Sequence, residues 1–136
     1  MNNPKISVSF ENRILTVTYL DGAHIDVADL EEIYQHGKAK AGGKPYCILF
    51  EATDHYDVTE EAIYYISNNP YEKDILAKAY IVNSQESDIK TKLHLLFDHP
   101  HLKPFVFKTR NEAKFFLMEA LAKGWFLQNF KPVIFT

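Results

Sequence analysis

The chain has 136 residues with a net charge of −3, and 46% of its residues are hydrophobic. This length fits one domain with a buried core, while the charge excludes the basic footprint that binds nucleic acid or an anionic membrane. The lone Cys47 lies in an apolar run, so we expect a buried thiol and no internal disulfide. No signal-peptide pattern and no apolar run of membrane-spanning length is present, so we expect a cytoplasmic protein without integral membrane association.

The N-terminal third predicts a hairpin followed by a helix. Residues 5–10 and 13–20 alternate between apolar and polar side chains, and residues 11–12 between them are typical of a turn, so an antiparallel hairpin is expected. Asp26 is a good N-cap for the helix, and the glycines after residue 41 end it. Its apolar stripe at helical spacing consists of Val27, Leu30, Ile33, Tyr34 and Gly37.

The middle of the chain predicts a buried strand and an interrupted helix. Residues 45–50 are almost all apolar, which is typical of a central parallel strand. Thr59 is a good N-cap for the next helix, which an Asn-Asn-Pro sequence interrupts. Asn69 of that sequence has the features of a new N-cap, so we expect a short second helical piece that closes at Ile75 and Leu76.

The last third predicts strand, helix, strand and helix. An apolar run at 79–82 indicates a strand, and the amphipathic stretch 84–97 indicates a helix. A short strand is expected at 105–107. Thr109 opens a capping box, which is a specific helix start, and Gly124 is expected to be the glycine that ends this helix.

The order β-β-α-β-α-β-α-β-α predicts an α/β fold with a mixed sheet of about five strands, an N-terminal hairpin and about four helices. Residues 1–124 complete this domain, and residues 125–136 form an apolar tail that packs either on the domain or on a second subunit. We favour the second subunit and hence a homodimer, because oligomers commonly use such patches. The expected dimer contacts are Trp125, Phe126, Phe130, Ile134 and Phe135.

Nucleotide and metal sites are not expected. The sequence contains five glycines and no glycine-rich phosphate loop. His94, Asp98, His99 and His101 cluster near a predicted helix end, and a metal site is one interpretation of them. We favour histidines that interact with the last helix carbonyls, because the spacing matches no recognised zinc site. No metal and no cofactor are therefore predicted.

The segment 51–59 is the strongest functional candidate. It follows the carboxyl end of a predicted parallel strand, which is where ligands bind in open α/β sheets. A hydrolase would need a threonine of this segment, Thr53 or Thr59, activated by His55 with an aspartate in support. The favoured interpretation is that Thr59 caps a helix and that the protein is not an enzyme.

Three segments carry a resemblance to a known family: Asp-Val-Thr-Glu-Glu-Ala at 57–62, Ala-Lys-Ala-Tyr-Ile-Val-Asn-Ser at 77–84, and Pro-Phe-Val-Phe-Lys-Thr-Arg-Asn-Glu-Ala at 104–113. Together with the order of elements, they make residues 5–123 resemble the STAS fold of bacterial anti-sigma-factor antagonists, the SpoIIAA-like proteins. More narrowly, the chain resembles small uncharacterised bacterial proteins of that fold. The resemblance implies a regulatory protein in which a partner kinase phosphorylates a serine of an Asp-Ser-Ser-Gly motif after the central strand.

The matching stretch departs from that motif. Thr59 keeps a hydroxyl, but Glu60 replaces the glycine and Glu61 follows it. A phosphate on Thr59 would be stabilised by the helix N-terminus and repelled by these carboxylates, which weakens the expectation of a phospho-switch.

We therefore expect a non-enzymatic regulatory or protein-interaction domain whose protein partner is unknown. The residues expected to meet that partner, or to act as the switch, are Thr53, Asp57, Thr59 and Glu60. The alternative is a small-molecule or lipid-binding module with an apolar pocket between helices and sheet. Its lining would come from Tyr64, Tyr65, Tyr71 and Phe97.

Overall fold

A computed structural model of the protein describes residues 1–52, 55–81 and 106–134, with backbone only after residue 124. The strands in these ranges are β1 (Ile6–Glu11), β2 (Ile14–Tyr19), β3 (Ala23–Ile25), β4 (Tyr46–Ala52), β5 (Tyr56–Val58), β6 (Ile75–Ile81) and β7 (Val106–Phe107). The α-helices are α1 (Val27–Ala41), α2 (Glu60–Ser67) and α3 (Arg110–Ile134), and Glu72–Asp74 is a short 3-10 helix. A five-stranded sheet has the order β1-β2-β4-β6-β7, and β3 pairs with β5 in a second sheet.

The N-terminal hairpin and the central strand are confirmed. β1 and β2 are antiparallel and are joined by Asn12 and Arg13, whose φ angles of 53° and 63° suit a two-residue turn that follows the twist of the strands. β2, β4, β6 and β7 are parallel. β4 lies between β2 and β6, so the apolar sequence at 45–50 does indicate burial on both faces.

Helices cover both faces of the sheet. The core under α1 and α2 includes Leu15, Val17, Leu30, Ile33, Tyr34, Ile48, Phe50, Ala62 and Ile66. The core under α3 includes Ile14, Cys47, Leu49, Ala79, Ile81, Ala113 and Leu117. Cys47 is fully buried, and this burial raises the pKa of its thiol to about 11, as expected for a structural cysteine.

Helix α1 begins and ends as the sequence predicts, and its first turn also fixes the N-terminus of the chain. Asp26 and Asp29 form a reciprocal capping box, and Gly42 ends the helix in a left-handed conformation. Asp29 is only 5% exposed and accepts hydrogen bonds from Lys5 Nζ at 2.6 Å and from Asn3 Nδ2 at 2.8 Å. The sequence analysis did not single out Asp29, because its contacts with Asn3 and Lys5 join residues 26 and 24 positions apart.

The short second helical piece predicted after Asn69 is present as the 3-10 helix Glu72–Asp74, but its predicted end at Ile75 and Leu76 is wrong. Asn69 acts as a local cap, because its Oδ1 accepts the Tyr71 N–H at 2.9 Å, but only a 3-10 turn follows. Ile75 and Leu76 already belong to β6, where Ile75 lies opposite Tyr46. Pairing with the central strand therefore outweighs a local helical signal.

The predicted end of the last helix at Gly124 is also wrong, because α3 continues to Ile134. Gly124 is buried and lies so close to β6 that a Cβ at this position would be 2.6 Å from Leu76 Cδ1. The glycine allows the helix to approach the sheet and does not terminate the helix.

The described ranges contain three α-helices, whereas about four were expected for the whole chain. The predicted helix at 84–97 lies outside the described residues, as does the last residue of the strand predicted at 79–82. Strands β3 and β5 were not predicted. β5 falls in the segment expected to be a loop.

Two tyrosines of the core under α1 and α2 differ in how their hydroxyl groups are satisfied. Tyr34 OH donates to Ile66 O at 3.3 Å. Tyr46 is 1% exposed, and its hydroxyl has no hydrogen-bond partner among the described residues. A Cβ at Gly37 would lie 2.7 Å from that hydroxyl, so the helix can pass over Tyr46 only with a glycine there.

These tyrosines give a matched test of stability. Replacing Tyr46 by Phe should raise the free energy of unfolding by about 1 kcal/mol, because it removes a buried hydroxyl that pairs with nothing described. Replacing Tyr34 by Phe should lower it by about 1 kcal/mol, because a made hydrogen bond is lost. Urea unfolding of both variants measures the two free energies of unfolding. An equal decrease in both would contradict the conclusion that the Tyr46 hydroxyl lacks a hydrogen-bond partner among the described residues.

The contact between Asp29 and Lys5 should make stability depend on pH. Burial alone would raise the pKa of Asp29, but the hydrogen bonds from Lys5, the Asp26 amide and Asn3 lower it overall. A lowered folded-state pKa stabilises the fold above the unfolded pKa of about 4, and this contribution is lost as pH falls through the folded value. Asp29→Asn should therefore cost about 1–3 kcal/mol at pH 7, and the cost should shrink at acidic pH.

Chemical denaturation of wild type and Asp29→Asn between pH 3 and pH 7 would measure this dependence. Glu31→Gln is the matched control, because Glu31 is exposed on the same helix. A cost of Asp29→Asn that stays constant over this range would show that the charge of Asp29 contributes nothing.

Candidate functional site

The segment after β4 is held by β3 rather than forming an open loop. β5 pairs in parallel with β3, with His24 opposite Asp57. The pairing is closed at one end by the Gly22 N–H, which donates to His55 O at 2.5 Å, and at the other by the Thr59 N–H, which donates to Ile25 O at 3.0 Å. Two strands that follow the carboxyl ends of β2 and β4 thus support each other beyond the main sheet.

The exposed face of this small sheet carries a hydrogen-bonded contact between a histidine and an aspartate. His24 Nδ1 and Asp57 Oδ1 are 2.5 Å apart, and both side chains are more than half exposed. The structure therefore places Asp57, one of the predicted site residues, on the surface and beside a histidine that the sequence analysis did not select. The signal that could have found His24 was its place in a short alternating segment, Ala23–Ile25, after a turn.

Thr59 is the N-cap of α2, as predicted. Its Oγ1 accepts the Ala62 N–H at 3.1 Å, and Glu60 and Glu61 follow in the exposed first turn, where the helix dipole favours carboxylates. No hydrogen bond joins His55 to Thr59 in this described part of the chain. Thr59 and His55 therefore do not form the pair that a hydrolase would require, and the Thr59 hydroxyl caps the helix. Thr53, the other threonine considered for that pair, lies outside the described residues.

Helix α2 is also fixed at its C-terminal end. Lys78 Nζ, from β6, contacts both the Ile66 carbonyl and the Glu72 carboxylate. Asn69 Nδ2 donates to the same Ile66 carbonyl at 3.1 Å. Burial lowers the pKa of Lys78, and Glu72 opposes this shift by stabilising the ammonium. The helix that presents Thr59 and Glu60 is therefore attached to β3 at its start and to β6 at its end.

An ion pair lies at the end of the central strand. Glu51, near the end of β4, accepts hydrogen bonds from Arg110 Nη2 at 2.6 Å and from Arg110 Nε at 3.2 Å. Arg110 is the first residue of α3, after a cap in which Thr109 Oγ1 accepts the Glu112 N–H at 3.2 Å. The sequence predicted this helix start but not its contact with Glu51, because the two residues are 59 positions apart.

We define the carboxyl-edge surface as His24, Glu51, Asp57, Thr59, Glu60 and Arg110. All six follow or lie near the carboxyl ends of strands β2, β4 or β7, the edge at which open α/β sheets bind their ligands. Three of the six are acidic, and Glu61 adds a further carboxylate beside them. The surface therefore carries more carboxylates than cationic side chains, and one of these carboxylates, Glu51, is already paired with Arg110.

The aromatic residues considered for an apolar pocket mostly pack against one another. The rings of Tyr65 and Tyr71 lie 6.0 and 5.8 Å from the buried ring of Tyr34. Tyr64 is 65% exposed, and Phe97 lies outside the described residues. Tyr65 and Tyr71 thus contribute to the core under α1 and α2.

Other predicted site residues lie outside the described ranges. These are Thr53, Phe135 and the possible metal ligands His94, Asp98, His99 and His101. Among the residues that are described, no group of three or more His, Cys, Asp and Glu side chains could hold a metal ion. The helices within those ranges are also too short or too polar to cross a membrane.

The class of fold is confirmed by comparison with solved structures. An uncharacterised protein of the DUF3478 family from Shewanella loihica PV-4, described as having a SpoIIAA-like fold, superposes with a TM-score of 0.51 at 13% identity. The match covers 82% of this chain and 91% of that one, so the protein has a SpoIIAA-like fold. Residues 8–121 match the family described as Domain of unknown function (DUF7793), and the chain belongs to that family. No curated protein matches the sequence.

The role of Thr59 can be tested by stability. Thr59→Ala should lower the free energy of unfolding by about 1 kcal/mol, because it removes the hydrogen bond to the Ala62 N–H. Thr59→Ser should stay close to wild type, since serine caps equally well. Thermal and urea unfolding compare the two, and an Ala variant as stable as the Ser variant would show that the hydroxyl is not needed for the cap.

Proposed function

We propose that the protein is a cytoplasmic, non-enzymatic regulatory domain that binds a protein partner through the carboxyl-edge surface. The observation that carries the proposal is the pairing of β5 with β3, which holds Asp57 and Glu60 on a fixed support instead of a loose loop. A binding surface that is already ordered loses little conformational entropy when a partner docks. The acidic character of the surface favours a partner with Lys or Arg residues.

The proposal does not depend on phosphorylation of Thr59. The hydroxyl already caps α2, and a phosphate there would disturb that cap beside the carboxylates of Glu60 and Glu61. We therefore propose that the unmodified surface is the binding form. The acidic side chains occupy the place where the SpoIIAA-like antagonists carry their switch.

A homodimer is the second part of the proposal. The tail residues Trp125, Phe126, Phe130, Ile134 and Phe135 are the expected contacts, and the backbone of α3 continues as a helix as far as Ile134. A helix that carries this many apolar residues is favoured in an oligomer, where a second subunit removes them from water.

The partner surface can be tested with a pair of matched charge reversals. Glu60→Lys changes the carboxyl-edge surface, whereas Glu11→Lys makes the same change at the opposite edge of the sheet, where β1 ends. A protein recovered from a lysate of the source organism by wild type and by Glu11→Lys should be reduced at least tenfold with Glu60→Lys. Quantitative mass spectrometry of crosslinked pull-downs measures this.

Two outcomes would contradict the proposed partner surface. Equal recovery by all three proteins would show that this surface is not used, provided that thermal unfolding shows Glu60→Lys to be folded. Native mass spectrometry that reveals a bound lipid or small molecule, with no protein lost from Glu60→Lys, would support the ligand-binding alternative instead.

A further inference from the structure

The outer face of α3, which we define as Phe115, Met118 and Ala122, is apolar and exposed. Phe115 is 67% exposed and Met118 is 55% exposed, and Ala122 is also exposed. The spacing i, i+3, i+7 puts all three on one side of the helix. The opposite side carries the buried Ala113 and Leu117 that pack on the sheet. An aromatic and a methionine together on one helix face are typical of an interaction surface.

The helix extends beyond the sheet that covers its inner side. Gly124 packs against Leu76, which is near the first residue of β6 and hence at the amino edge of the sheet. The backbone of α3 continues for residues 125–134, about 15 Å at the usual rise per residue. In the sequence, Trp125 and Phe126 follow Ala122 at helical spacing.

Charges beside this face favour one particular occupant. Glu112 and Lys123 are both exposed and are eleven residues apart, which puts them on the same flank of the helix. In an antiparallel pair of α3 helices with a two-fold axis near Met118, Glu112 of each copy would face Lys123 of the other. Phe115 would at the same time lie opposite the small Ala122. The two Glu112–Lys123 contacts and the match of Phe115 with Ala122 outnumber one unfavourable contact, in which the exposed Glu119 on the same flank would lie near its own counterpart at the axis.

We propose that a second copy of this chain covers the outer face of α3 in an antiparallel α3–α3 contact around Met118. This inference deepens the homodimer of the proposed function and rests on it. It moves the centre of the interface from the tail to Phe115 and Met118, and the tail positions extend the contact at each end. A symmetric contact of this kind closes on itself and gives a dimer rather than a chain of subunits.

The oligomeric state of full-length variants tests the contact. Wild type should be a dimer at micromolar concentration by light scattering, and Met118→Glu should weaken dimerisation at least tenfold because it places two carboxylates at the axis. Met118→Leu is the matched control and should remain a dimer. Circular dichroism and thermal unfolding establish that Met118→Glu is folded, since Met118 is exposed in a single copy.

Disulfide crosslinking gives a second measurement that does not require a variant with weakened dimerisation. Met118→Cys should form a covalent dimer under mild oxidation, because residues near a two-fold axis meet their own counterparts. Glu31→Cys is the control, since Glu31 is exposed on α1 at the opposite face of the sheet, and it should remain monomeric under denaturing conditions. Cys47 is fully buried and should not contribute.

Several outcomes would overturn the α3 contact. Wild type that is monomeric, Met118→Glu that is as dimeric as wild type, or equal crosslinking of both cysteine variants would each do so. A monomeric wild type that loses a different bound protein when Met118 is changed would assign this face to that protein instead. Glu60→Lys should leave the dimer intact, so failure of the partner surface and failure of the dimer contact can be told apart.

Discussion

Burial of strand β4 on both faces positions every surface discussed above. From Tyr46 to Phe50 its side chains are at most 3% exposed, and they point alternately toward α1 and α2 or toward α3. Each layer of helices therefore excludes water from one side of the same strand, at about 25 cal/mol for each Å² of apolar surface removed. Where the strand ends, Glu51 pairs with Arg110 and the chain passes on toward β5.

Glu60 of the carboxyl-edge surface and Met118 of the outer face of α3 lie on opposite sides of this sheet. Helix α2, which presents Thr59 and Glu60, packs on one face, and α3 packs on the other with Phe115 and Met118 directed outward. A protein partner that meets Glu60 and a second copy that meets Met118 would therefore not compete for the same area. A dimer of this kind would present two partner surfaces, which increases effective affinity for any partner that is itself multivalent.

The sequence predicted those parts of the fold that depend on neighbouring residues. The caps at Asp26 and Thr59 and the buried stripe of α1 were found because turn chemistry and helical spacing act within a few positions. Errors arose where distant residues decide the outcome. Ile75 joins a strand because Tyr46 pairs with it. Gly124 is explained by its close contact with Leu76 and not by the end of a helix.

For the candidate site too, the sequence predicted local features but not contacts between distant residues. Asp57 and Glu60 were selected from a polar segment after a strand, but their support by β3 could not be predicted. The pairing of His24 with Asp57 joins positions 33 residues apart, and Glu51 is 59 residues from Arg110. Such pairs depend on strand order, which composition and local spacing do not contain.

The path of α3 has a mechanical consequence. The helix begins at Arg110, beside Glu51 at the carboxyl edge of the sheet, and reaches Leu76 at the amino edge within fifteen residues. It therefore crosses the full width of the sheet. At Gly124 the helix backbone packs directly on Leu76, because there is no side chain between them. The two ends of this crossing are thus held by different contacts, an ion pair at Arg110 and direct packing at Gly124.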